Sequence, residues 1–213
     1  MNNGSSHSPY QWTALERRLF RRLSTPYKIQ EYLNSIRYRN ESVYCSPRRV
    51  IADRKAHCFD SALFAAAALR MNGHQPLIMD LRSAANDDDH VIGIFKQFGC
   101  YGAIGKSNYV GLAWREPIYR TPRELALSYF DMYFNLVGQR TLREYSRPLN
   151  LRSFDRHNWM FDSEILETIA QRLDQIHHSP VLTRQQVRAL QRVDKRTLAA
   201  GCLGLDPRGT FRP

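Results

Sequence analysis

The sequence predicts an α+β fold: helices, one central helix, a small antiparallel sheet, then more helices. Three observations carry this. In Trp12–Leu23 the apolar residues Trp12, Leu15, Leu19, Phe20 and Leu23 recur at helical spacing. Phe59–Met71 is a strong helix signal with alanine at 62, 65, 66, 67 and 68, closed by Asn72-Gly73. Two short apolar runs, Gln75–Leu81 and His90–Gln97, then read as strands, the second ending at the turn Phe98-Gly99-Cys100. Strands gathered in the middle of the chain, rather than alternating with helices, argue against a doubly wound parallel sheet.

In chain order, residues 1–9 (MNNGSSHSP) read as a disordered leader. The first helix follows, with Arg17, Arg18, Arg21 and Arg22 between its apolar positions. Thr25-Pro26 introduces a second helix over Tyr27–Ile36, and Arg37–Arg49 reads as an extended connection containing Ser46-Pro47. The five alanines of the next helix permit close approach of its neighbours and mark it as central and packed. Arg82–Asp89 is a polar, acidic loop that reads as solvated, and Tyr101–Ser107 returns antiparallel to the His90 strand. Val110–Tyr119 continues extended, and a helix from Thr121 to Phe134 opens with Pro122 in its first turn. Ser146–Asn158 is loop-like, with helical patterns at Asp162–Ile176 and Thr183–Leu198. The tail from about residue 201, with three glycines and two prolines, is expected to lie loosely on the surface. The organisation is thus a leader 1–9, a core 10–145 and a C-terminal helical extension 146–213 packed on it, without internal repeats.

With 213 residues and 43% hydrophobic content the chain can fill a core. Its longest apolar stretch, Ala62–Leu69, is far short of the roughly 20 residues a membrane span needs, and Met1–Ser8 is polar rather than a signal peptide. A soluble cytoplasmic protein is expected. Cys45, Cys58, Cys100 and Cys202 form no CxxC pair and read as thiols. The net charge of +11 divides into +6 over residues 1–52, +2 over 53–149 and +3 over 150–213. Such a balance keeps a nucleic-acid partner open, with Arg17, Arg18, Arg21 and Arg22 as the candidate face, although no nucleic-acid recognition motif accompanies it.

Cys58 stands at the start of the central helix, where unpaired N–H groups and the helix dipole favour a thiolate. His90 begins a strand, from whose edge an imidazole can project toward that helix terminus. Asn108 follows the return strand, 18 residues on, where a turn near Gly99 sets it beside His90 as a group able to orient the ring. Asp80, Asp87, Asp88 and Asp89 are alternative third groups. His57, Cys58, His74 and His90 could donate to a metal, but no pair has structural-zinc spacing, and no metal or cofactor is expected. Gly105-Lys106-Ser107 lacks the first glycine of a phosphate loop, and no serine elbow or dinucleotide fingerprint appears. The pairs Tyr129-Phe130 and Tyr133-Phe134 form a core stripe, and His177-His178 reads as a polar helix end.

Cys58 opening an alanine-rich helix, Gly73 closing it, a strand, a loop ending in His90 and a short return to Asn108 together resemble the core of the transglutaminase-like superfamily. The likeness is strongest to its small bacterial branch of cysteine peptidases and covers about residues 13 to 135. It implies a papain-like site with Cys58 as nucleophile, His90 as general base and acid, and Asn108 as orienter. It implies a protein or peptide substrate and acyl transfer at amide bonds, as a peptidase, an amidase or a transamidase. Two positions depart from the family pattern: Ala56 stands where glycine is common, and Asn108 where aspartate is frequent. A catalytically silent scaffold binding a protein or nucleic-acid partner through its basic N-terminal face is the alternative.

Overall fold

The computed structural model describes residues 10–211. The predicted leader, residues 1–9, lies outside the described residues. Helices α1 (Ala14–Arg22) and α2 (Pro26–Ser35) come first. Thr13 caps α1 through a reciprocal pair with Glu16, and Thr25 caps α2 ahead of Pro26. The expected extended connection contains a short strand, β1 (Arg37–Tyr38), and leads into helix α3 (Pro47–Asp53). Ser46 caps α3 and Pro47 occupies its first turn, so this dipeptide marks a helix start rather than a bend in extended chain. Strand β2 (Lys55–Ala56) pairs in parallel with β1 and delivers the chain to α4 (Cys58–Met71).

The main sheet is antiparallel throughout. It contains β3 (Leu77–Ser83), β4 (His90–Gln97), β5 (Cys100–Ile104), β6 (Arg115–Tyr119), β7 (Leu142–Ser146), β8 (Leu149–Asn150) and β9 (His178–Pro180). Its order is β6-β5-β4-β3-β7-β9, with β8 also paired to β3. The sheet is thus larger than the sequence suggests, and the segment expected to form a helical extension donates β8 and β9 to it. These strands have two and three residues, too few for alternation to register. Between β6 and β7 lies α5 (Pro122–Leu127); α6 (Leu166–Gln175), α7 (Arg184–Ala189) and α8 (Lys195–Gly201) complete the chain.

Three predicted helices or strands are shorter than expected. The helix from Thr121 breaks after α5 into a 3₁₀ turn at Phe130–Met132, and Tyr129 and Tyr133 are drawn fully into the core. The helix over Thr183–Leu198 splits into α7 and α8, because Asp194 starts a new helix by accepting from the N–H groups of Arg196 and Thr197. The extended stretch from Val110 becomes a strand only at Arg115.

Both faces of the sheet are covered. On one lies α4, whose residues Phe59–Leu69 are all buried. On the other, Met79, Leu81, Ile92 and Ile94 pack against α5, Tyr129 and Tyr133. The α4 contact depends on Gly93 of β4: a Cβ there would stand 2.8 Å from the Ala65 Cβ and 3.3 Å from the Ala62 carbonyl oxygen. Gly93→Val therefore forces helix and sheet apart and is expected to cost about 1–3 kcal/mol. Urea denaturation should show a lower midpoint; an unchanged midpoint would refute the close contact.

Candidate functional site

The thiol of Cys58 is placed by the packing of α4 on β4. His57 caps the helix, its Nδ1 accepting from the N–H groups of Phe59 (3.1 Å) and Asp60 (3.4 Å). Cys58 is then the first helical residue, and its own N–H is among the donors a helix start leaves unpaired. The pairing of β4 with β5 ends at Gly93 with Ile104, so β4 runs on beyond its neighbour. There the half-buried Sγ lies 4.0 Å from the Asp89 carbonyl oxygen and receives the Val91 N–H. Burial pushes the thiol up to about 11, against the opposing pull of the Val91 and Phe59 N–H groups. Burial thus opposes the thiolate that the helix start favours.

His90 opens β4, as Cys58 opens α4, but its side chain lies on the other face of the sheet. Strand alternation puts its ring with Ile92 and Ile94, away from α4, 6.3 Å from the Tyr129 ring. It does not reach straight toward the helix terminus as expected. Its Nε2–H donates to the Leu112 carbonyl at 2.7 Å, which leaves Nδ1 as the acceptor. Nδ1 has no hydrogen-bond partner among the described residues, and His90 lines the cavity that Cys58 also lines. Burial pulls the imidazole down to about 4, assisted by the nearby Arg115 charge, and the resting ring is neutral.

The orienting acceptor is therefore a backbone carbonyl, and Asn108 does not occupy that position. Leu112 is held by a network that sequence reasoning missed. The Arg115 guanidinium donates to the carbonyls of Gly111 (2.8 Å), Trp114 (2.8 Å) and Ser128 (3.1 Å) and stacks 3.8 Å from the Tyr129 ring centroid. Tyr129 Oη donates to the Ala113 carbonyl at 2.7 Å. Asn108 lines the same cavity, of about 450 Å³, but its amide is spent on the C-terminal segment. Nδ2 donates to the carbonyls of Asp206 (2.8 Å) and Gly209 (2.9 Å), and Oδ1 accepts from Asp206 N–H (2.9 Å). The tail expected to lie loosely from about 201 is thus docked at the site, with a 3₁₀ turn at Pro207–Gly209.

The other candidates are dispersed. Asp80 pairs with His178 across 3.0 Å, both side chains buried, so His178 is a core partner rather than a polar helix end. Asp87 accepts from Thr141, and Asp89 from the Ser83 N–H at 2.7 Å. The acidic run is a latched turn rather than a purely solvated loop, and Tyr133 Oη reinforces it by donating to the Asp88 carbonyl at 2.9 Å. Lys106 caps α2 by donating to the Leu33 and Ile36 carbonyls. Among the described residues no group of three or more His, Cys, Asp or Glu side chains is placed to hold a metal ion. Also among them, no helix is long and apolar enough to cross a membrane. Arg17, Arg18, Arg21 and Arg22 are exposed on α1, outside the cavity lining. No protein-family model matches the chain, and no curated protein matches its sequence.

The depressed His90 has a pH consequence whose sign follows from linkage. Between about 4 and the ordinary 6.5 the unfolded chain binds a proton that the folded imidazole refuses, so stability falls on acidification through that window. His57, also pulled down to about 4 by burial, acts in the same direction, whereas Asp60, pushed up to about 7 by burial, acts against it. Comparison with His90→Gln isolates one contribution: by pH 5 the wild type should lose about 2 kcal/mol more than the variant. Equal losses in urea titrations at pH 7 and pH 5 would show that the imidazole is not held neutral.

Proposed function

We propose that this chain is a cysteine-dependent acyl-transfer enzyme acting on amide bonds of a protein or peptide substrate, built on a transglutaminase-like, papain-like core. One observation carries it: Cys58, first residue of a buried helix, and His90, whose Nδ1 is left as the acceptor, line one cavity. Both groups are neutral at rest, so the proton moves during attack rather than before it. Nδ1 takes the Sγ proton as sulfur bonds to the carbonyl carbon, and the Leu112 carbonyl steadies the imidazolium through Nε2–H. The Cys58 N–H, at the positive end of α4, is positioned to stabilise the oxyanion. Collapse of the tetrahedral intermediate returns the proton to the leaving amine and gives a thioester at Cys58. Water then releases the acid, or a second amine gives transamidation.

A second possibility, a silent scaffold that binds a protein or nucleic acid through Arg17, Arg18, Arg21 and Arg22, is favoured by the exposure of those arginines and by the raised thiol. The two diverge in one experiment. With an activated acyl ester, intact-mass and peptide mass spectrometry should find the acyl group on Cys58, and Cys58→Ala should abolish turnover with an unchanged circular dichroism spectrum. His90→Ala should lower the acylation rate by about 10²–10⁴-fold. Acylation that ignores His90, or falls equally on Cys100, would exclude the enzyme and leave salt-sensitive partner binding as the test of the scaffold.

A further inference from the structure

The segment 206–209 is bound at the cavity mouth as a ligand would be. Three hydrogen bonds from one side chain, Asn108, read its backbone at Asp206 and Gly209. Asn40 Nδ2 reads its carboxylate, donating to Asp206 Oδ2 at 2.8 Å. The seat is also tight at one position, where a side chain would have to displace the groups that hold the segment. A Cβ on Gly209 would stand 2.8 Å from both Asn40 Oδ1 and Tyr38 Cε1, and 3.2 Å from Asn108 Nδ2. Asn40 Oδ1 is itself sealed from solvent and without a hydrogen-bond partner among the described residues, so the seat keeps an acceptor unspent. Arg208, Gly209, Thr210 and Phe211 continue along the lining that holds Cys58 and His90.

We propose that residues 206–211 are a tethered peptide ligand, an autoinhibitory strap seated by Asn40 and Asn108 over the Cys58 cavity. The seat then accepts the same class of peptide in trans: a turn with an acidic residue three positions before a glycine. That the occupant stands where substrate would lie rests on the acyl-transfer function above; the gating of Cys58 does not. Because the strap is tethered, its effective concentration is of millimolar order, and a free peptide competes only once the strap is loosened.

The test uses the full chain and alkylation of Cys58 by a bulky maleimide and by small iodoacetamide, resolved by peptide mass spectrometry. Cys100, remote from the strap, gauges the integrity of each variant. Asp206→Ala, which removes the Asn40 contact, and Asn108→Ala, which removes three hydrogen bonds, should each raise the bulky-probe rate at Cys58 by about tenfold or more, the scale of one or two lost hydrogen bonds. The small probe should respond less. The synthetic peptide Leu-Asp-Pro-Arg-Gly-Thr-Phe, the sequence of residues 205–211, should restore protection to Asp206→Ala, and its Gly→Val form should not. An unchanged bulky-to-small ratio in both variants, or no restoration by the peptide, overturns the proposal. A fall in Cys58 reactivity in Asn108→Ala would also overturn it and return Asn108 to an orienting role. Gating without acylation would leave the strap intact and remove the enzyme; acylation without gating would do the reverse.

Discussion

The contact of α4 with β4 at Gly93 is the constraint on which the site depends. A helix faced with alanine can lie close to a sheet only where the sheet offers no side chain in return, and Gly93 supplies that gap between Ala62 and Ala65. The close packing fixes the axial position of α4, and with it the position of its first residue. Cys58 is carried to the start of β4, on the side where β5 has already ended, and there the Asp89 carbonyl and the Val91 N–H face its thiol. A thiol at a helix start meets a free strand edge, and the cavity forms around that meeting.

Electrostatics at the site follow from partial burial. The thiol and the imidazole are each driven toward neutrality by burial, the first upward and the second downward. Burial thus works against an ion pair of thiolate and imidazolium. What the fold does fix is tautomer and direction. Arg115 and Tyr129 hold the segment from Gly111 to Trp114, the Leu112 carbonyl takes the Nε2 proton, and Nδ1 is left to accept from the cavity. On the opposite flank, buried Gln30 exchanges two hydrogen bonds with the backbone of Gly105, at 2.8 and 3.0 Å, and ties α2 to the end of β5. The loop carrying Asn108 and Leu112 is thus anchored at both ends.

Asn108 lines the cavity, yet its amide is engaged by the C-terminal segment rather than by His90. Its position in sequence, after the strand that pairs with β4, suits an orienter. Its amide instead matches the donors and acceptors of a peptide turn, three hydrogen bonds satisfied at once. The cavity is therefore bounded on one side by Cys58, His90 and Tyr133, and on another by Tyr38, Asn40 and Asn108, which hold the chain's own residues 206–209.

The α+β class, the buried alanine-rich helix and the strands around Met79 and Ile94 are legible in the sequence because those signals are local. Helical or alternating periodicity, a glycine stop and the first position of an apolar helix are written within a dozen residues. Tertiary structure alone decided the face on which His90 lies, the Leu112 carbonyl in place of Asn108, the core pairing of Asp80 with His178 across 98 positions, and the docking of Asp206–Gly209 on Asn108. The short strands β7, β8 and β9 belong to the same group, since two to five residues pair only when a sheet is already there to receive them. In each of these cases the partner is a backbone group or a distant side chain. A carbonyl oxygen has the same identity at every residue, so no amino-acid type announces which one an imidazole will find.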